Sequence, residues 1–248
     1  RILESRRSPA TATIGGYYYK PQPPQIQISR NQEGLVIIRP VESSFNWNAK
    51  KENASESLYK EMKIYYTTDG SNPNTQSKIY SAPFELEKGE IKAMAVANDK
   101  SGAISSYTLG ISKINWKVIS TDSEESNHKG YNAIDENNNT YWKSNNSSTD
   151  HYIAIDLGKE YILNAFSYTP QNQNGKGMME KGNIEISIDG NIWNKAGTFE
   201  FGNLINDPTT RKYFFDTPVK ARYIKVISTA IAGDDNSLAI AELGFYEK

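Results

Sequence analysis

Apolar residues in this chain recur at every second position and nowhere sustain the 3.6-residue period of a helix. Ile153, Ile155 and Leu157 share one face of a stretch; Ile184, Ile186 and Ile188 do so in another, and Ile224 and Val226 in a third. Ile26 and Ile28 alternate with polar residues, and so does the run Ile91-Lys92-Ala93-Met94-Ala95-Val96. The pattern predicts an all-β chain whose short strands each bury one face. Asp-Gly, Asn-rich and Pro-containing turns separate them. A length of 248 residues suits one large domain or two small ones. The net charge of -1 gives no electrostatic footprint for nucleic acid. No apolar run approaches the length of a membrane-spanning helix, so no membrane insertion is expected. Cysteine is absent, which excludes disulfides, thiolate metal sites and Cys nucleophiles. The two histidines, His128 and His151, lack the spacing of a metal pair. The adjacent acids Glu124-Glu125 and Asp234-Asp235 read as solvated surface rather than as two carboxyls flanking a sugar-sized cleft. No catalytic residue is assigned.

The densest cluster of oxygen donors is Ala133-Ile134-Asp135-Glu136-Asn137-Asn138-Asn139-Thr140-Tyr141-Trp142, followed by an alternating strand that ends in Asp156-Leu157-Gly158. Carboxylate, amide and carbonyl oxygens on one tight loop are what a hard cation such as calcium takes. The EF-hand pattern fails on it. Asp135, Asn137 and Asn139 suit the first three ligand positions, but Thr140 stands where that loop needs Gly and Asn146 where it needs Glu.

The segment resembles the signature of the discoidin, or coagulation-factor C-type, domain, whose pattern is A-I-D-G-N-x-x-T-x-W and then a strand ending D-L-G. Glu136 stands where that pattern has Gly, which suits a turn that does not need positive φ there. Ser187-Ile188-Asp189-Gly190-Asn191-Ile192-Trp193, Ala221-Arg222-Tyr223-Ile224-Lys225-Val226 and Ala239-Ile240-Ala241-Glu242-Leu243 resemble the family's later motifs, in order. Upstream, Ile64-Tyr65-Tyr66-Thr67-Thr68-Asp69-Gly70-Ser71-Asn72-Pro73, then Tyr80, Pro83-Phe84 and Ile91-Lys92-Ala93, resemble the immunoglobulin-like C-terminal domain of chitobiases and hexosaminidases. The architecture implied is two tandem β-sandwiches. Residues 25–111 would be immunoglobulin-like, and residues 112–248 a discoidin-type jelly roll. Residues 1–24, with Gly15-Gly16, Tyr17 to Tyr19 and Pro21-Gln22-Pro23-Pro24, read as a linker or the remnant of a preceding domain. The chain reads as a piece of a longer polypeptide.

The resemblance implies a structural calcium site that staples the first loop to the last strand. Its ligands would be the backbone carbonyl of Asn132, the Asp135 carboxylate, loop oxygens of Asn137 and Thr140, the carbonyl of Ala241 and the carboxylate of Glu242. It also implies sugar recognition by loops at one end of the sandwich. There the candidates are Trp142, Lys143, Asn145, His151, Gln171, Asn174, Asp235 and Asn236. In galactose-binding relatives the Trp is often followed by His and the next loop's Pro by Arg. Lys143 and Gln171 occupy those places, so galactose specificity is not carried over. Trp142 and Trp193 invite a stacking role but at the edge of a strand pattern read as core or rim aromatics, and Trp47 stays unexplained. The function expected is that of a non-catalytic, carbohydrate-binding accessory region of a larger bacterial glycoside hydrolase, secreted, periplasmic or at the cell surface. The parent would be of α-L-fucosidase or β-hexosaminidase type, because Phe201-Gly202-Asn203-Leu204-Ile205-Asn206-Asp207-Pro208 resembles the F-x-N-I-x-N-N-P loop of their tails. Its partners would be a terminal sugar on a glycan and the parent's catalytic domain. The alternative is a structural spacer, or a docking or adhesion module, that binds no sugar.

Overall fold

The computed structural model describes residues 12–14, 17–19, 22–41, 62–97, 99–146, 150–171, 175–233 and 236–247. Trp47, Asn174 and Asp235 lie outside them. Two compact units emerge, one of residues 1–30 and 35–109, the other of residues 31–34 and 110–248.

The first unit begins with β1 (Ala12–Ile14) and β2 (Tyr17–Tyr19), which pair antiparallel inside the stretch read as a linker. Two β-rich triplets flanking Gly15-Gly16 are the signal that the linker reading passed over. Next come β3 (Ile26–Arg30), β4 (Leu35–Pro40), β5 (Lys63–Thr67), β6 (Lys78–Ile79), β7 (Phe84–Glu85), β8 (Gly89–Ala97), β9 (Lys100–Ser101) and β10 (Ser105–Leu109). One sheet runs β3-β4-β7, the other β10-β8-β5-β6 with β9 on β8. Between them Ile26, Ile28, Val36, Ile38, Ile64, Ile91, Ala93, Ala95 and Leu109 form the core. Strand alternation puts these residues on the inner faces.

The second unit contains β11 (Lys117–Thr121), a 3-10 turn at Gly130–Ala133, β12 (Trp142–Lys143), β13 (His151–Pro170), β14 (Met178–Ser187), β15 (Asn194–Glu200), β16 (Arg211–Ala232) and β17 (Ala239–Glu247). Strand order is β12-β17-β13-β16-β14-β15, with β11 also on β13. The long strand β13 serves both sides of the roll. Its first part pairs with β11 and its second with β17, while β16 follows it throughout. Register shifts between Asp156 and Tyr161 and between Leu163 and Ala165 let one strand bend that far. Ile153, Ile155, Leu157, Ile184, Ile224 and Val226 meet in one core with Trp142, Phe166, Tyr168 and Phe245. Ile188 is the exception to its expected face, at 44% exposed. β14 stops at Ser187, because Asp189 Oδ1 accepts N–H bonds from Asn191 and Ile192 and turns the chain.

Two of the motifs prove to be partners. Asp156 of the D-L-G stretch takes a bidentate pair from Arg222 of the A-R-Y stretch, at 2.9 Å for both Nε and Nη2. The Arg222 guanidinium holds the Asp156 carboxyl below the usual carboxylate range. Among the described residues no helix is long and apolar enough to cross a membrane.

Candidate functional site

The first loop and the last strand of the second unit do meet. The Asn137 N–H lies 3.0 Å from Asp135 Oδ1 and 3.1 Å from Glu242 Oε2, donating to both. Thr140 Oγ1 lies 2.7 Å from Asp135 Oδ2 and 2.8 Å from the Asn137 carbonyl. Asn132 is buried in the 3-10 turn, and its side-chain amide donates to the Tyr141 carbonyl at 3.1 Å. Ala241 is buried at an irregularity of β17. Thr169 pairs with Glu242 and Pro170 with Ile240, so the register passes over Ala241 and takes its backbone out of the β13 ladder.

A residue absent from the sequence reading completes the cluster. Lys113 Nζ donates to Glu242 Oε1 and lies 3.7 Å from Glu136 Oε2. The Lys113 and Glu242 side chains are 7% and 10% exposed. Burial raises the Glu242 carboxyl, Lys113 pulls it back down, and the Glu136 and Asp135 charges add to the rise. Burial also raises the Asp135 carboxyl. Glu136 itself has φ 59, so the turn does need the left-handed conformation that its family Gly would take freely. The side chain that bears this strain is the one that faces Lys113.

Calcium would find the right chemistry here, since every donor is a hard oxygen. The place beside Glu242, however, already holds the Lys113 ammonium. Both carboxylate oxygens of Asp135 and both of Glu242 accept a hydrogen bond from a protein donor. Thr140 Oγ1, expected as a ligand, is a donor to Asp135. The arrangement does not fit a divalent ion unless Lys113 leaves Glu242.

The second cluster is the loop end of the same unit. The Ser144 N–H donates to the Leu238 carbonyl at 2.9 Å, and the Leu238 N–H returns to Ser144 Oγ at 2.8 Å. The Ala239 N–H donates to the Gly177 carbonyl at 2.7 Å. Gly233, at φ +95, lies so close to Gly175 that an added Cβ would sit 2.3 Å from the Gly175 carbonyl oxygen. Loops 143–146, 175–177 and 236–238 are therefore knitted together by their own backbones.

The sugar candidates divide on this frame. Asn145 and Asn236 are exposed, and Lys143 is partly exposed in an ion pair of 3.0 Å with Glu125. Trp142 is 0% exposed and its Nε1 donates to the Ser123 carbonyl at 3.0 Å, so its ring is core and does not stack on a ligand. It acts through Ser123, whose hydroxyl accepts the Asn145 N–H at 3.0 Å. Gln171 is buried, and its amide donates to the Lys176 carbonyl at 2.7 Å, shaping the loop from beneath. His151 is wholly buried, with Nδ1 2.7 Å from Asp122 Oδ2 and Nε2 2.6 Å from the Asn236 carbonyl. The ring thus bridges the Asp122 carboxylate and the Asn236 carbonyl. Neither ring nitrogen meets solvent, and His151 positions Asn236 rather than touching a sugar. Asp122 and Ser144 are positioning residues that the sequence reading missed. Each is an ordinary polar residue whose partner lies far along the chain. Trp193 lies partly buried at the edge of the roll, with Lys225 Nζ 4.3 Å from its ring centroid.

Comparison with known proteins places this geometry. A model of the F5/8 type C domain matches residues 117–243, and one described as Fn3 associated matches residues 55–109. Galactose oxidase of Gibberella zeae is 28% identical over 143 residues, which are 55% of this chain and 20% of that protein. The chain thus spans about a fifth of the length of this curated relative. Among solved structures, CBM32-3 from a family 31 glycoside hydrolase of Clostridium perfringens is 27% identical with a TM-score of 0.52, covering 56% of this chain and 96% of that one. The family 32 CBM of Clostridium perfringens NanJ, in complex with galactose, is 25% identical with a TM-score of 0.50 over 56% of this chain and 98% of that one. The C-terminal domain of a chitobiase from Bacteroides fragilis is 27% identical with a TM-score of 0.50, covering 56% of this chain and 97% of that one.

Proposed function

Because the chain belongs to the F5/8 type C domain family, we propose that it is the non-catalytic, carbohydrate-recognising accessory region of a larger bacterial glycoside hydrolase that works outside the cytoplasm. The observation that carries this reading is the loop end. Backbone groups and buried side chains there satisfy one another, while Asn145, Asp150, Lys176 and Asn236 stay exposed. Such a frame presents hydroxyl-binding amides and charges without having to order them on binding. The galactose complex of one structural relative and the hydrolases to which the relatives belong support the ligand class and the setting.

A parent of α-L-fucosidase or β-hexosaminidase type is the finer reading, supported in the sequence by the tandem of the two domain resemblances and by the loop 201–208. Phe201 and Leu204 of that loop are buried in the core, and Arg211 ties down the Gly202 and Asp207 carbonyls. The loop serves packing, so the identity of the catalytic domain is what would distinguish the two parents. The test of sugar recognition is an NMR titration of the full chain with galactose, N-acetylgalactosamine, N-acetylglucosamine, fucose and sialic acid. Saturable shifts of Asn145 and Asn236 amides are expected with at least one of them. Silence from all five would replace this reading with that of a spacer or protein-docking module.

A further inference from the structure

We propose that the ammonium of Lys113 is the resident cation of the loop-to-strand staple, and that it keeps calcium out of it. Three carboxylates surround this one group. Glu242 accepts directly from Nζ, Glu136 lies 3.7 Å away, and Asp135 shares the Asn137 N–H with Glu242. Lys113 lies 129 residues from Glu242 in sequence, so the contact joins the entry of the domain to its last strand. That is the same mechanical task as a metal staple, performed by a cation on a tether.

Three features support a permanent occupant. Lys113 is only 7% exposed on its side chain, so its charge has been taken out of water and is compensated by these acids. Its Nζ also lies 5.7 Å from the centroid of the Trp116 ring, an aromatic face that favours a cation. Glu136 adopts a left-handed backbone at φ 59 where glycine would be unstrained. A third carboxylate facing the ammonium gives that strain a purpose, because one ammonium near Glu242 and Asp135 alone would leave Lys113 fewer partners. Calcium would have to share the Glu242 carboxylate with Lys113, and its entry would leave a buried ammonium beside a divalent ion. Like charges at that separation repel strongly where water is scarce.

The inference is independent of sugar recognition: the titration with sugars reads the loop end, whereas this test reads the staple. The experiment is thermal unfolding of the full chain in chelator and in millimolar calcium, for the wild type and for Lys113→Met, with calorimetric calcium titration of both. The wild type should melt at the same temperature in both buffers and show no saturable calcium heat. Lys113→Met should melt several degrees lower in chelator and recover part of the loss in calcium, with one ion bound. Lys113→Arg, which keeps the charge, should stay indifferent to calcium. This variant and the wild type decide the matter even if Lys113→Met fails to fold. A wild type that binds one calcium ion, or that gains several degrees from it, overturns the proposal. So does a Lys113→Met protein that melts like the wild type in chelator.

Discussion

The Lys113–Glu242 staple and the loop end belong to one domain and are built from the same kinds of group, yet they treat them in opposite ways. At the staple every carboxylate oxygen of Asp135 and Glu242 has a donor, and the side chains are closed off from water. At the loop end the backbone closes on itself through Ser144, Leu238, Gly177 and Ala239, while the side chains of Asn145 and Asn236 are left exposed. Polar residues alone do not mark a binding site. What marks it is whether the fold has already used their hydrogen-bonding capacity. A satisfied cluster holds the structure, and a supported but outward-facing one can receive a ligand.

The comparison breaks most visibly at Glu242. Replacing it by Ala leaves Lys113 buried without the carboxylate that accepts from it, with Glu136 at 3.7 Å and the Asp135 charge as what remains. Removing one member of a buried pair costs about 3–5 kcal/mol. A denaturant titration of Glu242→Ala should show that loss in chelator and in calcium alike. A wild-type midpoint in chelator would mean that the staple does not hold the domain.

A smaller loss is expected at His151, where the two clusters' logic meets. Its imidazole is buried and bonded like a staple residue, but what it holds is the carbonyl of an exposed one, Asn236. His151→Ala leaves Asp122 and the Asn236 carbonyl without this partner, at about 2–3 kcal/mol. The same substitution should weaken sugar binding by loosening residue 236, without removing any ligand contact. Measured together, a stability loss with unchanged sugar affinity would detach His151 from the recognition surface.

Smaller again is the surface pair Asp156–Arg222, a partly exposed counterpart of the buried staple. The folded state holds the Asp156 carboxyl below its ordinary value of 3.8, chiefly through the Arg222 hydrogen bonds. A depressed folded pKa gives stability that is present above the unfolded value and lost as pH falls through the folded one. Arg222→Met should therefore lower the melting temperature slightly at neutrality, and the difference from the wild type should shrink as pH falls below about 4, which leaves the variant a flatter acid limb. An unchanged acid limb would show that the bidentate pair is energetically idle.

How much of this was legible in the sequence follows the range of the interaction. Strand faces were readable, because alternation is local: Ile153, Ile155 and Leu157 point into the core as their spacing requires. The meeting of the Asp135 loop with Glu242 could be anticipated only through motif order. Lys113 was not legible at all, since a lone lysine carries no pattern and its partner is 129 residues away. Trp142 beside a polar loop was open to both a stacking and a core reading. The sequence could not show that Ser123 takes its indole N–H and that the core takes its ring. Glu136 was expected to avoid positive φ and does not, because the local turn and the ion pair outweigh a strain of about 1 kcal/mol.

The smallest effect on stability should accompany the largest effect on binding. Asn145 and Asn236 are exposed, and what the frame uses of them is backbone: the Asn145 N–H on Ser123 and the Asn236 carbonyl on His151. Alanine keeps both backbone groups, so Asn145→Ala and Asn236→Ala should each change unfolding free energy by no more than about 0.5 kcal/mol. Sugar binding depends on the side chains themselves. A single shallow sugar site makes few contacts, so the wild-type affinity should lie on the order of millimolar to tens of micromolar. The loss of one amide that bonds a hydroxyl removes about 1 kcal/mol or more of that small total. The double variant should fall below detection in the NMR titration while melting like the wild type. Tethering to a catalytic domain would make even this weak recognition useful, because a short linker supplies a high effective concentration. If the double variant still binds, the recognition surface lies elsewhere on the roll and the loop end is only well built. If it unfolds instead, these side chains belong with the staple, and exposure has failed as the criterion that separates the two clusters.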